Sequence, residues 1–372
     1  MISSGLGQGG VVGSATWSFV ENCSFAGSVV SEDGGVSGGV LGNASGCVVT
    51  GCKNTGSIEV QGGFGDTAGG VVGSFAASSM GFLLDQETYP DEWSAVEAQI
   101  ENVRTAGISL KGCVNEGTVW NSEGVAGGVA GEITDGLGHE YRQTVVVDQC
   151  VNDGAVSSGG GTLTAVAAGI CGWYATSPAI VEEQRIVGSL ELKNCTNNGE
   201  IVSKGGSVGG VLGYANMTGG ALTVDACANT GTVAVEDGDA SISLGGIVGG
   251  AGIYEDVTLR FENMTDRTAY EAGMDYSTGG IIGSVTVAES NEGELTFLMS
   301  NCQGLGTFSG KEGATYGALC GSFLGGILED DFAGTFEMES CKCAEGVPAV
   351  GVQGSLTDKL AALIEAIEET SE

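Results

Sequence analysis

The chain has 372 residues with 47 Asp or Glu against 12 Lys or Arg, a formal net charge of −35. So acidic a surface repels nucleic acid and anionic lipid, and no apolar run of about 18 residues encodes a membrane span. Its 69 glycines stand against only 3 prolines, which excludes collagen and proline-rich linkers and points to tight turns between many short strands.

In chain order, the opening MISSGLGQGG has neither a basic start nor an apolar core. It does not read as a signal peptide, and sequence upstream of Met1 is expected. GLGQGG fits GxGxxG at Gly5, Gly7 and Gly10, but a strand pattern follows where a dinucleotide site needs a helix. From Gly9 onward two elements alternate. Gly-Gly-(Val/Ile)-x-Gly begins at Gly9, Gly38, Gly69, Gly127, Gly209, Gly245 and Gly279, with worn copies at Ala168 and Tyr316. Cys-x-Asn-x-Gly-x-(Val/Ile) begins at Cys52, Cys113, Cys150, Cys195 and Cys227, with looser copies at Cys23, Cys302 and Cys341. Met264 holds the same slot. The pair recurs about nine times, and the shortest unit, Cys23 to Cys52, is about the size of one solenoid coil.

A third element precedes each cysteine slot. Three places before it stand Val20, Val49, Leu110, Val147, Leu192, Val224, Phe261, Met299 and Met338, all apolar. Two places before it stand mostly charged residues, among them Lys111, Asp148, Lys193 and Asp225. That alternation is a strand with one buried face. Each unit is therefore expected to hold three short strands, each stacked on its copy in the next unit. The fold expected is all-β: a parallel β-solenoid over residues 1–354, expected to be a right-handed β-helix of about nine coils. In such a stack the cysteines form a ladder of small apolar knobs, so Cys113, Cys150, Cys195 and Cys227 should be buried free thiols. The asparagine is expected to take a left-handed φ and to bond its amide to the copies above and below. The glycine serves a positive φ or a close approach. The charged slot should form an outward salt-bridge ladder.

The stretch GGVLG…TVDACANTGTV resembles the GLUG repeat of bacterial extracellular proteins, in which a Gly-Gly-apolar-x-Gly core is followed by an Asn-Cys-containing turn and Gly-x-Val. The resemblance covers roughly residues 9 to 350. It implies secretion, display at the cell surface and adhesion to a host or bacterial glycan or protein. This chain departs from the repeat through long insertions and a helical tail.

The insertions all fall between a Gly-Gly element and the next cysteine slot, the largest over 74–107. Extra length leaving one corner of a repeat stack is the usual way to build a binding surface. Trp17, Phe75, Tyr89, Trp93, Tyr141, Trp173, Tyr174, Tyr214 and Tyr254 gather there. Tyr89, Trp93, Tyr141, Trp173 and Tyr174 are the candidate ligand-binding residues, since aromatic faces stack on sugars and partner proteins. The competing reading is a satellite core over the turns. YPDEWSAVEAQIENV reads as a short helix with Trp93, Val96 and Ile100 on one side. The tail, 355–372, reads as an amphipathic helix capped by Ser355 or Thr357, with Leu356, Leu360, Leu363, Ile364 and Ile367 in one stripe covering the last coil. The first coil has no comparable cover, so a contact with upstream sequence or another molecule is expected at that end.

Catalytic and metal motifs are weak. His139 is the single histidine; Gln143 stands where HExxH needs its second, and Arg142 is its basic neighbour. Cys341-Lys342-Cys343 is too isolated for zinc. Cys47 lies five residues from Cys52, near enough in sequence for a disulfide. Acidic groups at Glu236-Asp237-Asp239 and Glu329-Asp330-Asp331 read as solvated turns before they read as Ca²⁺ ligands. No catalytic residue, metal or cofactor is assigned. The expectation is a non-catalytic extracellular repeat module: adhesin, stalk or ligand-binding scaffold. The alternative is a glycan-active β-helix enzyme, a polysaccharide lyase or hydrolase, which would need converging carboxylates and a base.

Overall fold

The computed structural model describes residues 7–63, 65–77, 90–135, 144–160, 165–181, 184–236, 242–272, 276–288, 293–310, 312–325, 334–351, 361 and 364–365. The chain winds into a parallel β-solenoid of nine coils. Four parallel sheets have nine strands each, and a fifth has six. Named by their first strands in chain order, sheet 1 starts at Gln8–Gly9, sheet 2 at Val12–Thr16, sheet 3 at Phe19–Glu21, sheet 4 at Ser24–Phe25 and sheet 5 at Ser28–Ser31. A full coil thus carries five strands, not three. The Gly-Gly element splits into two, one strand ending at its first glycine and one beginning after its apolar residue. The Cys-x-Asn element adds a two-residue strand of its own.

Register is kept from coil to coil. Lys111 pairs with Asp148, Asp148 with Lys193 and Lys193 with Asp225, as the sequence alignment of units requires. The salt-bridge ladder does not form in this region. Lys193 Nζ instead meets Glu191 Oε2 at 2.5 Å, two residues along its own strand. Asp148 and Asp225 accept from Asn194 Nδ2 at 2.9 Å and Asn263 Nδ2 at 2.8 Å. At these two coils the asparagine before the cysteine slot takes the carboxylate of the coil below.

That same position holds the left-handed turn. Asn22, Gly51, Gly112, Gln149, Asn194, Ala226, Asn263, Asn301 and Ser340 have φ between 49° and 62°. The motif asparagine, expected there, instead lies in the short strand of sheet 4. It is buried, and its amide does pass from coil to coil. Asn54 donates to Asn115 at 2.8 Å, Asn115 to Asn152 at 2.8 Å, Asn152 to Asn197 at 2.7 Å and Asn197 to Asn229 at 2.7 Å. Each also donates to the carbonyl of the motif glycine two places on, as Asn152 does to Gly154 at 2.8 Å.

The asparagine column divides the interior. On one side lies the main apolar column, between sheets 2 and 3; on the other lies a smaller one, between sheets 1 and 5. In the first coil the slot is occupied by Phe25, which pairs with Asn54 and packs against both columns. The cysteine ladder belongs to the main column. Cys113, Cys150 and Cys195 are fully buried, Cys227 nearly so, and all twelve cysteines are free, Cys47 and Cys52 included. Each ladder thiol points at the carbonyl of the apolar residue three places before the preceding cysteine slot: Cys150 to Leu110 at 3.6 Å, Cys195 to Val147 at 3.5 Å, Cys227 to Leu192 at 3.5 Å. Thiol neighbours on both sides, with burial, hold Cys150 well above the ordinary thiol range.

The glycines are required for close approach. A Cβ on Gly38 would stand 1.9 Å from the Leu41 carbonyl oxygen, across the tight turn. On Gly70 it would meet the Gly128 carbonyl at 1.9 Å and the Asn115 side chain at 2.5 Å. On Gly172, the third glycine of its element, it would meet Val125 Cγ1 at 2.5 Å. That last contact shows that the outer faces of sheets 1 and 2 fold toward each other. Their outward side chains meet in a re-entrant angle, where Val166 and Ser322 are fully buried.

The insertions leave between sheets 2 and 3, as expected. Helix α1, Pro90–Ala106, lies within the largest. It buries Ile100 and Val103 against the main column, and Gln99 Nε2 donates to the Trp17 carbonyl at 3.0 Å. A short antiparallel hairpin, Ala179–Val181 with Gln184–Ile186, leaves the same corner two coils later. The expected C-terminal helix lies mostly outside the described residues, including Ser355, Leu356, Thr357, Leu360, Leu363 and Ile367. Within them, Ala361, Ile364 and Glu365 are helical, and Ile364 is buried against the main column.

Candidate functional site

On the outer face of sheet 2 one column reads Ser14, Asn43, Ser74, Glu132, Trp173, Tyr214, Gly250, Ser284, Ser322 in successive coils, the last two buried against Ser243 and Ser277 of sheet 1. Two large aromatics therefore fall in adjacent coils at the same position. Trp173 and Tyr214 stack with centroids 5.0 Å apart and planes tilted by 37°. Beyond them the column offers Gly250, and the next outward column offers Gly252. The missing side chains leave room for the Tyr214 ring: a Cβ on Gly252 would stand 2.4 Å from Tyr214 Oη and 3.5 Å from the Tyr254 ring. Tyr254, half exposed at 48 %, extends the aromatic surface beyond the strand end. Burial pushes the Tyr214 hydroxyl up to about 12, so it remains a hydrogen-bond donor at neutral pH.

On the other side of Trp173 lies Glu132, its direct partner in the sheet. Burial raises this carboxyl above the usual carboxylate range, and a hydrogen bond with Ser74 eases it back. Along the outward columns of sheet 2, and the outward column of sheet 1 facing them, Glu132 is the one carboxylate among the described residues. Paired-carboxylate hydrolysis needs a second within about 5–10 Å. What the described residues supply is an aromatic platform with a polar margin.

Of the sequence candidates, Trp173 lies on this face. Tyr174 does not: the pleat turns it inward, where Ile133 and Ala215 are its sheet neighbours, and it is fully buried. Adjacent strand residues cannot share a face. Its hydroxyl has no hydrogen-bond partner among the described residues, and burial holds it well above the ordinary tyrosine range. Trp93 is on α1, where its indole N–H donates to Glu97 Oε1 at 2.7 Å; it has no ring contact with Trp173 or Tyr214. Tyr89 and Tyr141 lie outside the described residues, as do His139, Arg142 and most of the acidic clusters. Trp17 and Phe75, from the wider aromatic set, are buried.

Tyr214 was legible as a partner for Trp173. Both occupy the second position after the third glycine-slot neighbours Cys171 and Leu212, so aligning the units places them side by side. Among the described residues no group of three or more His, Cys, Asp or Glu is placed to hold a metal, and no helix is long and apolar enough to cross a membrane. Comparison with models of known families, with curated proteins and with solved structures finds no match.

Proposed function

We propose that the chain is a non-catalytic repeat module of the GLUG type that works outside a bacterial cell as an adhesive or ligand-binding scaffold, with the Trp173–Tyr214–Tyr254 face as its contact surface. The observation that carries the reading is the aromatic stack itself. A solenoid that needed only to be a stalk would gain nothing from placing two large rings outward in adjacent coils. Aromatic rings held rigidly on a sheet give contact area at little entropic cost. The partner class is a surface glycan or protein. The surface location rests on the repeat resemblance and on the acidic composition.

The test is a glycan array and a surface-protein pull-down with the whole chain, repeated with Trp173→Ala and Tyr214→Ala. Capture should be lost in both while the circular dichroism stays unchanged. Tyr174→Ala is the contrasting variant: it empties a core site at a cost of about 3–5 kcal/mol and should lower the melting temperature. If Trp173→Ala melts the fold as Tyr174→Ala does, the stack is structural and the proposal fails. One observation keeps a glycan-active enzyme as the second reading, the raised carboxyl of Glu132 beside the platform. Release of reducing or unsaturated sugar ends that is abolished by Glu132→Gln would favour it.

A further inference from the structure

We propose that a second groove, on the outer face of sheet 5 and walled by Trp120, binds an uncharged oligosaccharide. This inference does not depend on the reading of the sheet 2 face. The outward column of sheet 5 reads Val30, Glu59, Trp120, Ser157, Val202, Ala234. The largest side chain of the column is followed by the small Ser157, and the step between them opens a groove of about 450 Å³ along the coil axis. Trp120 is 37 % exposed, and its indole N–H has no acceptor among the described residues. Trp120 thus offers an aromatic face and a free donor at one end of a shallow trough.

The rest of the trough decides the ligand class. Ser157 and Val202 floor it, with Glu200, two residues before Val202, on one side and Lys204, two residues after it, with Glu236 on the other. Lys204 Nζ lies 3.4 Å from Glu236 Oε2, so the one cation is already paired with a carboxylate. An anionic ligand would find no free positive charge here and would meet a chain of net charge −35. A purely apolar ligand would leave Glu200 and the Trp120 N–H without partners in the bound state. A neutral sugar chain meets both demands, with apolar ring faces for the indole and hydroxyls for Glu200, Ser157 and the Lys204–Glu236 pair. A groove that runs along the axis also offers equivalent positions about 4.8 Å apart, close to the length of one sugar unit.

The experiment titrates the whole chain with neutral hexasaccharides (cellohexaose, xylohexaose and N-acetylchitohexaose) and follows tryptophan fluorescence, with calorimetry to fix the affinity. At least one should bind at millimolar concentration or below. Measured in the Trp173→Ala background, which removes the sheet 2 face from the readout, Trp120→Ala should weaken it about tenfold and Trp120→Phe less. Circular dichroism of the Trp120 variants should match the parent, because the side chain packs no interior column. Absence of binding by all three sugars overturns the proposal, as does binding that survives Trp120→Ala. An oligolysine peptide is the competing probe. Tight, salt-sensitive capture of it that depends on Glu200→Gln and ignores Trp120→Ala would assign the groove to a cationic peptide instead.

Discussion

The coils up to Asn229 and the coils after it are built on the same register but hold their interiors together differently. In the first group five asparagines run head to tail from Asn54 to Asn229. In the second the slot is filled by Asp266, Gly304 and Cys343 in turn, and the column ends. Sheet 5 ends at the same place. Val233–Val235 is its last strand, and Ala269–Ala272 pairs only with Thr307–Gly310 in a separate two-stranded sheet. Ring contacts gather beyond this seam: Tyr270 packs on Phe308 and Phe308 stacks on Tyr316, while in the main column Phe297 meets Phe261, Phe323 and Phe336.

The chemistry of one atom explains the break. An amide both donates and accepts, so each asparagine can pass the bond to the next coil. A carboxylate only accepts. Asp266 can take a bond from the coil below but has none to pass on, and Gly304 in the next coil has no side chain to receive one; Asn229 Nδ2 donates to Thr268 Oγ1 at 3.3 Å, and Asp266 Oδ1 accepts from the Tyr270 hydroxyl at 2.8 Å and the Thr268 N–H at 3.1 Å. Asp266 Oδ2 is buried with no hydrogen-bond partner among the described residues. Burial pushes this carboxyl up to about 6, against the pull of the Thr268 and Tyr270 hydrogen bonds.

The comparison can be broken first at its strong end. Asn152→Ala removes an amide bonded on both sides. It orphans an Asn115 N–H and the Gly154 carbonyl, at about 1–3 kcal/mol each. A loss of roughly 2–6 kcal/mol in urea unfolding is expected; a loss under 1 kcal/mol would mean the column is incidental to stability.

The next effect is at the seam and has a sign fixed by linkage. The folded Asp266 binds its proton more tightly than the unfolded chain does, about 6 against 3.8. Its stabilising contribution is therefore complete below the unfolded value and is lost as pH rises through about 6. Asp266→Asn restores a neutral donor. It should raise stability above pH 6 by roughly 3 kcal/mol, with little change near pH 4. Using the difference between the two proteins cancels the general relief of acid repulsion. Equal differences at both pH values would show that Asp266 does not titrate as described.

The smallest effect sharpens the turn. Ala226 holds φ 49° at a position where Gly51 and Gly112 stand in other coils. Ala226→Gly should gain about 1 kcal/mol by relieving left-handed strain, and a loss would place the turn elsewhere.

The sequence carried the stack itself. Spacing and alternation located the cysteine ladder, the register and the insertion corner, because these depend on residues that recur at fixed offsets. The amide ladder was legible for the same reason. The left-handed position was not: Asn, Gly, Gln, Ala and Ser all occupy it, since the turn imposes the conformation and no side chain is required. The two-residue strands of sheet 4 leave no periodic trace, and the tight turn inside the Gly-Gly element hides that it feeds two sheets, which is why five sheets read as three. Composition groups Tyr174 with Trp173, but the pleat separates them: Trp173 faces out only because Tyr174 faces in. Trp120 sits in a constant part of the repeat, TVWN, away from the insertions, and alternation alone marks it as outward.

Amide hydrogen exchange of the intact chain, read by mass spectrometry and corrected for intrinsic rates, tests the two-region account most directly. Strands of the coils from Asn54 to Asn229 should be the most protected at pH 7.5, and those from Thr265 onward should exchange faster and gain protection as the pH falls below about 6. Uniform protection through the seam at both pH values would contradict it.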